Sequence, residues 1–544
     1  MHRIESSGYG IDAQNKKYFK STPLPPTVIS AEWLQSVQEE ICNVIENAGL
    51  SVHDQGGDIA HTDLWQALLT LGRPQDLIIN SQATFNNAIE RTGANAYRFK
   101  SGYRSIYVKY ILGGYSMVSG SGPLSGGDTW GALSLNQCAH LTFEEGAYIN
   151  VGDTPGYVNA ATDGALLENV YVKGTGSAAA AVVQSFLTGA ERVTYRNCWT
   201  SNRYTNVDFA AFSGGSYKSA SYIGCKVSTI LCATAAKTLR AFYQCYNMTN
   251  TYITTFTPAN GVVKVIDACE EISNLYVDTV STANALTVVY SSNNITGFDI
   301  TTVTGTAGQT VHIMDTCNNV SSGIIQTIST GIITVMYSCN NISSFNITGI
   351  TGAGGVAIKG FDTCTRISSG ILQNFTTGAI IGIYNSSNIT ATTLYNFSGG
   401  ADLLTGISTC TELTGCRIIT FGNTGSTLSG IYGIYSCSYL SACHVESCVA
   451  VNATLCHGYY NCNFLSACYS TANSATNSSN GNGFAQCLKI TACYALSNKA
   501  YGFINCKGCG FNTSTSNGTA YSTSYSDSGT SNACADTAAG GYNN

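Results

Sequence analysis

The sequence predicts a mainly β protein: a parallel β-helix, or solenoid of stacked coils, preceded by a small helical region. Three observations carry this. The string DTCNNVSSGII from Asp315 returns as YSCNNISSFNI from Tyr337 and as DTCTRISSGIL from Asp362. Charged residues make up 10% of the chain while apolar residues reach 44%, so the polar surface is built from Ser, Thr, Asn and Gly rather than from charges. The segments between turns are short and rich in Ile, Val, Thr and Tyr, and Gly, Asn and Ser punctuate them, which is strand-and-turn chemistry.

Aligned on the third letter of the motif, cysteine recurs at Cys198, Cys225, Cys245, Cys269, Cys317, Cys339, Cys364, Cys410, Cys437, Cys462, Cys487 and Cys506, with Ser292 and Ser386 filling two further rungs. That makes fourteen rungs, 19 to 27 residues apart. The period is too short for helical repeats, and the dense leucine pattern of leucine-rich repeats is missing. From rung 269 to rung 487 other columns confirm the register. Three residues on stand Ile272, Ile295, Val320, Ile342, Ile367, Ile389, Leu413, Leu440, Leu465 and Ile490, and the next position is always Ser or Thr. Cys416, Cys443, Cys468 and Cys493 add a second cysteine column six residues on. Like residues recurring once per turn stack on one another, and each coil advances about 4.8 Å, the strand spacing. The cysteine is then an inward-facing brick, small enough to stack on itself.

A second rhythm overlies the first. Two residues before the key position the chain reads Tyr243, Asp267, Tyr290, Asp315, Tyr337, Asp362 and Tyr384, then Ser408, Tyr435 and Tyr460. The alternation implies a two-coil unit of about 47 residues. Strand alternation places this column on the cysteine's face, inward. The uniformly apolar residue before it argues instead for a bulge and an outward column. An inward column would have each Tyr hydroxyl donate to an Asp one coil away. An outward one would present Tyr290, Tyr337, Tyr384, Tyr435 and Tyr460 to sugars.

The ends differ in kind. Residues 1–95 form an N-terminal region with one or two short helices, 96–190 the opening strands and irregular early coils, 191–510 a solenoid of about 13 coils, and 511–544 a Ser/Thr-rich final coil and cap. Ser30 is a fitting N-cap, Trp33, Val37, Ile41 and Ile45 share one helical stripe, and Gly49 ends the helix. A second helix is expected at 61–72. The run Pro25-Pro26-Thr27-Val28, then Ala31-Glu32-Trp33-Leu34, Gln38-Glu39-Glu40-Ile41 and Val44-Ile45-Glu46-Asn47-Ala48-Gly49, resembles the N-terminal module of tailed-phage and prophage tail fibre or tailspike proteins. The resemblance covers only this N-terminal region. It implies a right-handed β-helix, a homotrimer, attachment to tail or baseplate proteins, and a rod that meets a host-surface glycan or protein. It assigns virion attachment to Trp33, Leu34, Val37, Glu39, Glu40, Ile41 and Ile45. It also implies a virion-tail location, with synthesis and assembly in the bacterial cytoplasm. The chain departs from many such proteins in showing no sizeable C-terminal trimerisation domain.

The first residues contain no apolar stretch of signal-peptide length and no run long enough to span a membrane, so membrane insertion is not expected and the 23 cysteines are expected to stay mostly reduced. With a net charge of −6 and no basic block, nucleic acid is not an expected partner. Glycan hydrolysis wants two carboxylates about 5 to 9.5 Å apart. Asp267, Asp315 and Asp362 recur every second coil, about 9.6 Å apart by the coil rise, and Glu270 and Glu271 lie close by in sequence. These five are the catalytic candidates, but a repeat-locked acid reads first as a structural ladder. Neither the lone Cys506-Lys-Gly-Cys509 nor Cys443, His444 and Cys448 of CHVESC makes a metal site, so no metal and no cofactor are expected. The reading is a non-enzymatic tail fibre or short tailspike; the rivals are a glycan depolymerase of the same build and a purely structural connector.

Overall fold

The computed structural model describes Tyr9–Ile11, Lys17–Phe19 and helical residues within 36–43. It then describes 75–521, apart from 94–95, 101–102, 110–111, 114–131, 135–139, 152–156, 175–181, 353–356, 400–402, 424–429, 452–454, 476–480, 511, 516 and 518, and finally 535–536. Of the helix expected from Ser30, Ser36, Val37, Glu39, Glu40 and Asn43 are described, and all are helical. Trp33, Leu34, Ile41, Ile45 and the helix expected at 61–72 lie outside the described residues. Parallel strand pairing starts at Gln75–Ile79, which pairs with Tyr103–Val108, ahead of the expected start of the coils. One further helix, Gln82–Ala88, is capped by Ser81, whose hydroxyl accepts from the Thr84 amide at 3.2 Å. It seats Phe85 against Phe99 in the core.

From there to Ala535–Asp536 the described strands build a parallel β-solenoid, apart from one antiparallel pair at its start, Ile89–Gly93 with Ala96–Phe99. One coil shows the anatomy. Val262–Asp267 lies in one sheet, Cys269 turns the corner, and Glu270–Ser281 runs along the other sheet. Three left-handed residues, Ala268, Glu271 and Asn274, bend the strand; the next coil but one repeats them as Thr316, Asn319 and Ser322. Asn tolerates that backbone region better than most residues. It also stacks on itself: Asn319 donates to Asn294 at 2.8 Å and Asn341 to Asn319 at 2.9 Å.

The columns fall in register as the repeat demands. Ile272, Ile295, Val320 and Ile342 are consecutive partners, each at most 1% exposed. The nineteen cysteines whose side chains are described are free and buried. Their weak S–H donors serve backbone carbonyls: Cys317 Sγ lies 3.5 Å from the Asp315 oxygen and 3.6 Å from the Val289 oxygen of the coil below. Ser292 substitutes because its hydroxyl donates to the Tyr290 carbonyl at 2.8 Å and accepts from the Cys269 amide at 3.1 Å.

One expectation changes, and one open alternative closes. Cys198 and Cys225 do not belong to the key column. Strand register places Trp199 beside Lys226 and Lys226 beside Tyr252, so these cysteines precede positions of the second column, six residues on, where Thr251, Leu275 and Phe298 stand. Both columns point inward and both accept a small thiol, so a single cysteine cannot mark which one it occupies. The Tyr/Asp column faces outward. Val265 and Ile266 are successive and both fully buried, so the strand bulges and Asp267 shares the outer face with Lys264.

The two-coil unit has a packing cause. Phe298 and Phe345 point into the core, and each faces a glycine in the next coil, Gly323 and Gly370. A Cβ added there would lie 1.7 Å from the Phe298 ring or 1.8 Å from the Phe345 ring. Gly323→Ala and Gly370→Ala should therefore each destabilise by about 1–3 kcal/mol through overpacking, read as a fall in thermal midpoint. In mass tagging of the denatured protein most cysteines should react as free thiols, whereas in the native protein the described ones should react slowly.

Candidate functional site

The outward face of the shorter-stranded sheet is laid out by two columns three residues apart. One is the Tyr/Asp column. The other holds Arg240, Lys264, Thr287, His312, Thr334 and Lys359. The pleat brings them together as carboxylate, cation and ring. Asp315 accepts from His312 at 3.0 Å, and His312 stacks on Tyr337 of the next coil at 5.1 Å. Asp362 accepts from Lys359 at 2.6 Å, and that ammonium lies 4.3 Å from the centre of the Tyr384 ring. Asp267 is paired with Arg240 at 2.5 Å, while Lys264 covers Tyr290 at 3.4 Å. The alternation has an electrostatic reason. Carboxylates on adjacent coils would stand about 4.8 Å apart and repel. Inserting Tyr separates them and gives each cation a ring face to cover.

This arrangement bears on the candidate acids. Asp267 and Asp362 are 5% and 8% exposed, and each has a cation in contact. Burial pushes the Asp315 carboxyl up, but hydrogen bonds from His312 and Thr316 more than offset this and hold it below the usual carboxylate range. A general acid needs the opposite shift. Glu270 is half-buried at the start of its strand; Glu271 is exposed at the corner, beside Asn294 and Ser273. The face places the three aspartates in one column and leaves both glutamates around the corner.

Where the aspartates stop, aromatic rings take over. The coils of Cys437 and Cys462 carry Tyr432, Tyr435 and His444, and His457, Tyr460 and Tyr469, in matching positions. Tyr435 and Tyr460 stack at 5.7 Å, and Tyr432 lies 5.2 Å from Tyr460 and 5.8 Å from His457. Around the corner Tyr439, 57% exposed, stacks on Phe464 at 4.8 Å. Both hold left-handed φ of 58° and 57°, a conformation that costs about 1–2 kcal/mol per residue. The equivalent positions in the other coils are Asn247, Glu271, Asn294, Asn319, Asn341, Arg366, Asn388, Glu412 and Lys489, all left-handed as well. An aromatic pair at a position that is polar in the other coils, with Tyr439 exposed and Phe464 half-buried, sets these two coils apart.

Within this belt His457 is 4% exposed, and its Nδ1 accepts from the Asn482 amide at 3.1 Å. Burial lowers its pKa to about 4. The Tyr432 hydroxyl is pushed up to about 12 by burial and by the neighbouring tyrosines. Of CHVESC, Cys443 and Cys448 point into the core, while His444 lies on the outer face, its ring 5.8 Å from that of Tyr469 and tilted 60° to it. Among the described residues no group of three or more His, Cys, Asp or Glu side chains could hold a metal ion, and no helix is long and apolar enough to cross a membrane.

Sequence reading named Tyr435 and Tyr460 but missed Tyr432, His457, Tyr439 and Phe464. The signal was present: within 432–469 tyrosine, phenylalanine and histidine crowd into two successive repeats. No protein-family model and no curated protein matches the chain. Among solved structures, a PL6-family alginate lyase aligns at 6% identity over 85% of this chain and all of its own, with a TM-score of 0.20. A periplasmic alginate epimerase aligns at 11% identity over 84% of this chain and 82% of its own, with a TM-score of 0.17. At those scores neither likeness supports a statement about activity.

The His457 shift sets an acid sensitivity. An imidazole titrates near 6.5 when unfolded, so between about 6.5 and 4 the unfolded chain binds the proton that the folded chain refuses. Stability from this group is intact above pH 6.5 and falls toward pH 4, by about 3 kcal/mol in all. Asp315 contributes a loss only further down, as pH falls through the carboxylate range. Melting at pH 7 and pH 4.5 should show a larger drop for the parent than for His457→Gln.

Proposed function

We propose that the chain is a non-catalytic recognition rod of the tail fibre or short tailspike kind. Its N-terminal segment attaches it to tail or baseplate proteins of a virion, and the solenoid meets a glycan on the host surface. The virion role, the homotrimer and assembly in the host cytoplasm rest on the N-terminal resemblance alone. Recognition by the rod rests on one observation: where the ion ladder ends, two coils gather Tyr435, Tyr439, Tyr460, Phe464 and Tyr469 about a corner, backed by the buried Tyr432 and His457. Aromatic rings bury large area at little entropic cost, and a hydroxyl-rich, weakly charged surface hydrogen-bonds sugars without long-range steering. A non-catalytic role is supported by the aspartates: Asp267 and Asp362 are paired with Arg240 and Lys359, and Asp315 with His312, with its carboxyl held below the usual range.

The purified protein should adsorb to host capsule or lipopolysaccharide and leave its chain length unchanged. Tyr435→Ala with Tyr460→Ala should weaken adsorption at least tenfold, the usual effect of losing central aromatic contacts, about 1.4 kcal/mol or more. Shortened glycan would establish a depolymerase instead. Failure to adsorb to any host surface would leave the structural connector.

A further inference from the structure

The longer-stranded sheet carries a separate outward column that no repeat letter announces. Tyr171, Trp199, Lys226, Tyr252 and Tyr276 are consecutive register partners, and Tyr148 precedes them by one coil. Tyr171 and Trp199 stack at 4.2 Å, and the Lys226 ammonium lies over the indole at 4.9 Å. Hydrogen bonds pin the ring edges: Tyr171 shares one with Ser201 at 2.5 Å, and Trp199 donates to Ser228 at 3.3 Å. Rings stacked along the axis spend their faces on one another. The first ring, Tyr148, over which the Lys173 ammonium lies, is tilted 49° to Tyr171 rather than stacked on it. It opens into a groove of about 540 Å³ walled by Phe143, Glu145, Asn169, Tyr171 and Trp199.

The charges at this groove are unbalanced. The Lys173 ammonium lies 5.2 Å from the centre of the Tyr148 ring. Among the described residues neither Lys173 nor Lys226 forms a salt bridge; of the two glutamates lining the groove, Glu144 is neutralised by Lys109 at 2.6 Å and Glu145 has no cation, which leaves one ammonium in excess. In a chain of net charge −6, two ammonium groups against the single unpaired carboxylate of Glu145, beside a preorganised ring platform, favour a ligand that carries negative charge.

We infer that this groove binds a carboxylate-bearing sugar of an acidic glycan, with a pyranose ring on Tyr148 and its carboxylate on Lys173. Asn169 and Glu145 are placed to hydrogen-bond its hydroxyls. The inference rests on the glycan-recognition reading but uses a face remote in sequence from the Tyr435 belt. Titration calorimetry of the full chain with tetragalacturonate and with maltotetraose tests it. The acidic oligomer should bind at least tenfold tighter, Tyr148→Ala and Lys173→Gln should each weaken it about tenfold, and Tyr435→Ala should leave it unchanged. Equal binding of the two oligomers, binding of neither, or acidic binding indifferent to both groove variants with unaltered circular dichroism would overturn it. If acidic binding moves only with Tyr435→Ala, the groove is excluded while the recognition rod stands.

Discussion

Every coil is hydrogen-bonded in parallel register to the coils on either side, and that ladder places each residue directly over its counterpart. A side chain must therefore live with its own kind, or with a chosen complement, about 4.8 Å away. Aliphatics and thiols satisfy this by packing on themselves, as Ile272 to Ile342 and Cys317 to Cys364 do. The inward rings of Phe298 and Phe345 fill the space of the next coil's side chain, so here they alternate with Gly323 and Gly370, whereas Phe186, Phe212 and Phe242 stack on one another in register. Carboxylates cannot repeat for electrostatic reasons, so they alternate with tyrosine. Steric and electrostatic constraints thus converge on one two-coil period.

The same register shapes the surface. Rings in one column consume each other's faces, and charges in one column must be neutralised in place. A uniform column is thus a poor binding site, however many aromatic or acidic residues it holds. Binding capacity belongs where a column changes identity or ends. The belt at Tyr432–Phe464 lies where aspartate gives out, and the groove at Tyr148 lies where the ring stack begins.

Much of the fold was legible because register writes spatial neighbours into sequence as a period. The apolar, hydroxyl and cysteine columns from 269 to 487 could be assigned without coordinates. Cys198 and Cys225 could not, since two inward columns six residues apart accept the same small side chain. The site was less legible. Tyr435 and Tyr460 belong to a repeating column and could be named, but their partners Tyr432 and His457 stand in one whose residue type changes at every coil. The Tyr148–Tyr171–Trp199 stack lies in early coils of irregular length, where no repeated letter aligns the rungs.

By itself, then, the sequence determined the coil period, the inward columns and the reduced, self-packing character of the core, because each is a property of one position repeated. Only the tertiary structure decided which way the Tyr/Asp column faces, which cation each aspartate meets and which rings remain open. Those outcomes turn on a bulge of two buried residues, Val265 and Ile266, and on contacts across different columns of neighbouring coils. A linear repeat records what lies above and below a residue; it does not record what the pleat sets beside it.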